Sequence, residues 1–274
     1  MSNCSASSLS QLRWKPTITA RQYRDCISRI KKHISGGNTY QVNFTYRLRS
    51  ACDGDPWKLF LEMAEAHDSP YGAFIDTGQW AVCSASPELF FKLERNRLES
   101  RPMKGTASRG LWFEQDREKA EGLAASAKDR AENLMIADMV RNDMGRVAVT
   151  GTVHVPRLFT VEQFSTVWQM TSTVRARTRA SVVDIFQALF PPSSITGAPK
   201  TRTMQIIAGL ESSSRRVYTG AIGFIAPGRR AQFSVAIRTL LIDRKEQRAE
   251  YGIGGGIVWD SRPGSELEES RIKA

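Results

Sequence analysis

The chain has 274 residues, 41% of them apolar and 24% charged, which suits one large domain or two small ones with a well-buried core. Thirty-nine Lys and Arg against 28 Asp and Glu leave a net charge of +11, and this excess favours anionic partners: nucleic acid, an acidic membrane, or a carboxylate or phosphate ligand. The four cysteines include no C-x-x-C, the three histidines no H-E-x-x-H, and no apolar run approaches 18 residues, which argues against zinc and a membrane span and for a reduced, cytoplasmic chain.

Residues 1–16, Ser-rich and poor in acids, are expected to form a disordered leader, and 17–274 a single domain. TARQYRDCISRIKKHISGG predicts a helix: Thr19 and Gln22 make a capping box, Tyr23, Ile27, Ile30 and Ile34 line one face, and Gly36-Gly37 end it. YQVNFTYRLR then alternates, with Tyr40, Val42, Phe44, Tyr46 and Leu48 on one face and Gln41, Asn43 and Thr45 on the other. That polar face is either solvent-facing or the wall of a pocket. Asp55-Pro56 opens a short helix toward His67, and residues 71–101 read as strands joined by tight turns. SAKDRAENLMIADMVRND is the strongest helix, with Ser126 as N-cap and Asp129 three residues on. Strand-like segments follow to about residue 178, then the helix SVVDIFQALF capped by Ser181, then a loop in which Pro199 opens the helix TRTMQIIAGL. YTGAIGFIAP, AQFSVAIRTLLI and YGIGGGIVW read as strands, and SELEESRIKA as a last helix. The pattern predicts a mixed α/β domain of the α+β type, with antiparallel sheets packed as a sandwich and helices outside.

Several positions carry chemistry. Asp129 and Glu132 share a helix face, and Glu266 and Glu269 repeat the spacing. Two such helices facing each other would offer Mg²⁺ the one or two carboxylates it takes beside a charged substrate, although spacing alone describes solvated helix acids better. Thr196 and Gly197 precede a helix start, where free N–H groups favour a carboxylate or phosphate. GIGGGIV is no dinucleotide fingerprint, because Ile257 stands where the third glycine belongs; a bulge or bend, or the close approach of a ligand, is expected instead. Under strict alternation Arg238 opposes Ile237 and Thr239, and it either stands in water or grips a carboxylate, with Tyr218 reaching the same pocket. Lys104, in RPMKGTASRG, is a nucleophile only if desolvated or set near other cations, since roughly 4 in 10,000 free lysines are neutral at pH 7. Taken alone it reads as a surface charge.

GGNTYQVNFTYRL, ASPELFF, RPMKGTASRG, DRAENLMIADMVRND, FPPSSITGAPKTRTM, YTGAIG, FSVAIRT and GIGGGIVWDSRPGSELEESRIKA together resemble, in order, the chorismate-utilising family of anthranilate, aminodeoxychorismate, isochorismate and salicylate synthases. The family's usual large N-terminal domain has no counterpart here. The resemblance implies that Glu132 and Glu269 hold Mg²⁺, with Asp129 and Glu266 in support. It implies that Glu88 is the general acid for the departing C4 hydroxyl. Thr106, Tyr218, Arg238, Gly254, Gly256 and Lys273 would hold the substrate carboxylates or line the metal site, and Gln41, Gln169, Thr196 and Gly197 count with the substrate-binding positions. Family members that add water to chorismate carry a lysine base where Gln41 stands, so isochorismate and salicylate synthesis are disfavoured. Lys104 matches the lysine of aminodeoxychorismate synthases, where it is thought to attack C2 of chorismate. Gln169 replaces a histidine associated with pyruvate elimination, which disfavours anthranilate synthesis, and Pro192-Ser193 replaces the usual Gly-Gly. The implied activity is that of aminodeoxychorismate synthase component I, feeding 4-aminobenzoate and folate, with a glutamine amidotransferase as ammonia source and no nucleic-acid or membrane partner. The alternatives are anthranilate synthase component I and a silent chorismate-binding paralogue.

Overall fold

The computed structural model describes residues 8–67 and 69–272. After a 3-10 turn at Leu9–Gln11 the elements are β1 (Lys15–Pro16), α1 (Ala20–Ser35), β2 (Gln41–Ala51), α2 (Pro56–His67), β3 (Tyr71–Asp76), β4 (Trp80–Ser86), β5 (Leu89–Glu94), β6 (Arg97–Arg101) and β7 (Met103–Ser108). Next come α3 (Phe113–Ala125), α4 (Ala127–Gly145), β8 (His154–Gln163), β9 (Val167–Arg177), α5 (Val182–Leu189), a 3-10 turn at Ser193–Ile195, β10 (Gly197–Ala198) and α6 (Lys200–Leu210). The chain closes with β11 (Ala221–Ala226), β12 (Arg230–Val235), β13 (Thr239–Asp243), β14 (Arg248–Ile257) and α7 (Pro263–Ile272).

Two seven-stranded antiparallel sheets result. One runs β1-β2-β14-β13-β4-β3 with β10 paired to β2; the other runs β11-β12-β5-β6-β9-β7 with β8 paired to β9. Val82 and Leu241 of the first sheet meet Ile222 of the second. Helices cover the outer faces, α1, α6 and α7 packing on β2 and β14, α2 on β4, and α4 and α5 on the second sheet. The expected sandwich with helices outside is therefore the fold. No described helix is long and apolar enough to cross a membrane.

The local signals explain most elements. Thr19 accepts from the Gln22 N–H while Gln22 accepts from the Thr19 N–H, closing the capping box that starts α1. The α1 face carrying Tyr23, Ile27 and Ile30 buries against Val42, Phe44, Tyr46 and Leu48 of β2. Tyr40 falls just before the strand and is exposed. Ser126 and Ser181 cap α4 and α5 as expected.

Four readings change. First, residues 1–7 of the expected leader lie outside the described residues, but Leu12 is buried and β1 pairs with β2, so order begins before residue 17. Second, α3 has no forecast in the sequence, because FEQDREKAEGLAA carries no apolar stripe and only Leu123 of it is buried. Third, AQFSVAIRTLLI is two strands. The chain leaves the second sheet at Val235 and enters the first at Thr239, and Arg238 makes the turn with a left-handed φ of 48°. Fourth, the glycine-rich strand is not bulged, pairing with β2 in unbroken register from Arg248↔Ala51 to Ile257↔Val42.

Candidate active site

The site forms on the polar face of β2. In an antiparallel pair, directly opposed residues share a face, and Asn43, Thr45 and Arg47 oppose Gly256, Gly254 and Gly252. Missing side chains on β14 leave room for what crosses from elsewhere. A β-carbon on Gly252 would lie 2.2 Å from the Tyr218 ring, one on Gly254 2.2 Å from the Phe44 carbonyl oxygen, and one on Gly256 2.8 Å from Lys104 Nζ. Gln41 is wholly buried, and neither its Nε2 nor its Oε1 has a hydrogen-bond partner. Orphaned amide atoms at such depth are costly unless a ligand meets them. The Gln41 amide nitrogen also lies 3.2 Å from that Gly256 position, beside the Lys104 amine.

Lys104 arrives on β7. Asn133, buried next to Glu132 on α4, donates from Nδ2 to the Lys104 carbonyl at 3.2 Å and to the Met170 carbonyl at 3.1 Å, and accepts from the Ser172 hydroxyl. It thereby fixes β7 between α4 and β9. Gly105 is left-handed at φ 93°, and its α-carbon faces the Asp129 side chain. The two arginines that flank Lys104 in RPMKGTASRG, Arg101 and Arg109, are each engaged by an acid. Arg101 pairs with Glu162, and Arg109 with Asp116 at 2.7 Å.

Glu88, at the head of β5, is buried. Burial pushes its carboxyl up to about 7, against the opposing pull of the Ser194 hydroxyl, the Lys104 charge and the Met103 N–H. A carboxyl held there keeps a large protonated fraction at neutral pH, as a general acid requires. Burial likewise raises Glu132; the Lys104 and Lys128 charges pull it back down, and Asp129 and Glu266 add to the rise.

The predicted metal set is only partly assembled. Among the described residues no group of three or more His, Cys, Asp or Glu side chains converges closely enough to hold an ion. Asp129 accepts from the Ser126 hydroxyl and so serves the N-terminus of α4, and Glu266 accepts from Ser261 Oγ at 2.6 Å. Glu132, 3.9 Å from Lys128 Nζ, and Glu269 place hard oxygen donors on α4 and α7. Two carboxylates fit a cation that completes its shell with water and substrate, so the donor chemistry suits Mg²⁺.

Other expected residues divide. Thr106 donates to Gln169 Oε1 at 3.2 Å across the β7–β9 pair. Thr196 spends its hydroxyl on the Pro192 carbonyl at 3.0 Å, and Gly197, at φ 146°, lies so close to the Gln41 carbonyl that a side chain has no room. Thr196 thus braces the preceding turn, and the bare Gly197 lets β10 pair closely with β2. Lys200 turns away to Asp143 at 2.7 Å. Tyr218 stacks against Gly252 and under Arg47, its ring centroid 5.1 Å from that guanidinium, whereas Arg238 faces His67 and Tyr251. Arg238 is half-buried, burial depresses its pKa, and among the described residues no carboxylate forms an ion pair with it. Lys273 lies outside the described residues. Ser194, Asn133 and His67 went unnoticed in the sequence. Asn133 had one visible signal, its place at i, i+3 and i+7 with Ile136 and Val140 on the buried face of α4.

The chain matches the family model described as chorismate binding enzyme over residues 2–274. It belongs to the chorismate-binding enzyme family. Aminodeoxychorismate synthase component 1 of Salmonella typhimurium is 40% identical over 259 residues, covering 94% of this chain and 57% of that protein. Anthranilate synthase component 1 of Aquifex aeolicus is 36% identical over 263 residues, covering 95% of this chain and 53% of that protein. The crystal structure of anthranilate synthase component I from Streptococcus pneumoniae aligns with a TM-score of 0.88 at 30% identity, over 96% of this chain and 58% of that one. The chain thus spans little more than half the length of these chorismate-binding relatives.

Proposed function

We propose that this domain binds chorismate and replaces its C4 hydroxyl with an amine, as an aminodeoxychorismate synthase component 1. The observation that carries the reading is the Lys104 amine, set against the Gly256 backbone and the unpartnered Gln41 amide, with its charge reaching Glu88 and Glu132. A surface lysine has no reason to be met by a glycine. The half-buried Arg238 guanidinium suits one substrate carboxylate. Glu132 and Glu269 would hold Mg²⁺, which when bound offsets carboxylate charge on the substrate.

In this reading the neutral Lys104 amine attacks C2. Both ring double bonds shift, C1=C2 to C1=C6 and C5=C6 to C4=C5, the C4–O bond breaks, and Glu88 gives its proton to the departing oxygen, which leaves as water. Ammonia then bonds to C4, both double bonds return, and the C2–N bond breaks to release the lysine. The balance is chorismate plus ammonia to aminodeoxychorismate plus water. A glutamine amidotransferase subunit would supply the ammonia. Gln169 argues against a further elimination of pyruvate, because an amide that accepts from Thr106 cannot take up a proton as a histidine would.

Mass spectrometry of the product formed from chorismate, Mg²⁺ and ammonium salt tests the reading. A product that gains an amine and keeps the enolpyruvyl group supports it, and K104A should abolish that product. Loss of pyruvate would make the activity that of an anthranilate synthase. Binding of chorismate without turnover by the folded chain would leave a silent binding domain.

A further inference from the structure

His67 ends α2, outside every residue assigned above to chemistry. Its Nδ1 lies 3.3 Å from Arg238 Nη1. A guanidinium only donates, so Nδ1 presents its lone pair, the imidazole proton sits on Nε2, and the ring is uncharged. We propose that His67 is a positioning residue for Arg238, accepting one guanidinium N–H and thereby aiming the remaining donors at a substrate carboxylate. The proposal rests on the chorismate-amination reading.

Three features of the fold support it. The backbone of Arg238 is pinned where the chain crosses between sheets, its carbonyl accepting from the Ala85 N–H at 2.9 Å and its φ left-handed. That fixes the α-carbon but not a long side chain with several rotatable bonds. Secondly, α2 is anchored by Leu59 and Met63 in the same cluster as Ala81, Cys83 and Ala85 of β4, the strand that supplies the Ala85 N–H. The imidazole and the arginine backbone are therefore held by one rigid unit. Thirdly, among the described residues no ion pair competes for the guanidinium, so a neutral acceptor orients it without cancelling the charge that a carboxylate would meet. Burial and the Arg238 charge both hold His67 below its ordinary pKa, which keeps the acceptor form present at neutral pH.

The test is chorismate affinity of the full chain by titration calorimetry, for the wild type and for H67L, H67N and H67Q, each with its melting midpoint. Asparagine places an acceptor where Nδ1 stood, glutamine places one where Nε2 stood, and leucine places none. H67L and H67Q should bind roughly tenfold more weakly, the size of one hydrogen bond to a charged group. H67N should restore binding toward the wild-type value, and in turnover the loss should fall on KM rather than kcat. The proposal is overturned if H67Q binds like the wild type, or if H67N loses as much as H67Q at an unchanged melting midpoint. A wild-type chain that binds no chorismate overturns the amination reading itself and this inference with it, an outcome distinct from wild-type binding that is indifferent to residue 67.

Discussion

Replacing Gly256 with alanine adds one methyl group to the wall of the site. Its β-carbon would stand 2.8 Å from Lys104 Nζ and 3.2 Å from Gln41 Nε2. An unstrained contact needs about 3.5 Å, so the amine must retreat by about 0.7 Å. The retreat is cheap for the fold, since the displaced atom is the far end of a flexible side chain and Gly256 has no left-handed φ that alanine would strain. It is costly for the reaction, where a misplacement of about 1 Å is worth on the order of 10²-fold in rate. G256A should therefore melt close to the wild type while forming the aminated product about a hundredfold more slowly. Gly254 is the internal control. There the added carbon would meet the Phe44 carbonyl oxygen at 2.2 Å and the Thr45 α-carbon at 2.8 Å. Backbone cannot step aside, so G254A should lose about 3 kcal/mol or more and on the order of 10 °C in melting midpoint. Scanning fluorimetry and product quantification by mass spectrometry on both variants check the pair. A G256A chain that aminates chorismate at the wild-type rate, or that melts as early as G254A, would refute the claim that the glycine exists to admit the lysine.

Further outcomes follow from the same geometry. Glu88, lifted from 4.5 to about 7 in the folded chain, binds its proton more tightly folded than unfolded. Its contribution to stability is present at low pH and is lost as pH rises through that interval, by about 3 kcal/mol at most. E88Q should flatten that loss, measured as the melting midpoint at pH 5 and pH 8, while suppressing turnover; a wild-type pH dependence in E88Q would contradict the assignment. In the wild type, the rate should fall on the alkaline side of about pH 7 as Glu88 ceases to hold a proton. E132Q and E269Q should each weaken Mg²⁺ binding in the presence of chorismate by calorimetry, and unaltered binding in both would remove the metal assignment. N133A removes a donor from the Lys104 and Met170 carbonyls and the acceptor from the Ser172 hydroxyl, which keeps the Phe159 N–H. Each orphaned buried group costs about 1–3 kcal/mol, so urea denaturation should register a loss of several kcal/mol.

Much was legible in the sequence because its signals are local. The capping boxes at Thr19 and Ser181, the cap at Ser126 and the alternation of β2 depend on residues within one or two turns, and each stands as expected. The eight ordered motifs reached the family for the same reason, since motif order is a property of the chain. Even the polar face of β2 was visible as a choice between solvent and pocket. Burial by the other sheet and its loops decided for the interior.

What local signals could not decide is which distant atoms meet. The glycines of β14 read equally well as a bulge, and only the arrival of Tyr218 at Gly252 and of Lys104 at Gly256, from separate parts of the chain, explains side chains missing from an unbulged strand. Alternation placed Arg238 inside one strand, but the chain turns there to change sheets, a consequence of closing a sandwich that no short window contains. Asp129, Thr196 and Gly197 have the right chemistry at the right spacing for ligand binding, yet nearer partners claim them: Ser126, the Pro192 carbonyl and the β2 backbone. Sequence by itself determined the elements and the inventory of reactive groups, because propensity, capping and periodicity act over a few residues. Tertiary structure alone decided which of those groups stay uncommitted, because a hydrogen bond or a charge is spent on whatever folding brings within about 3 Å.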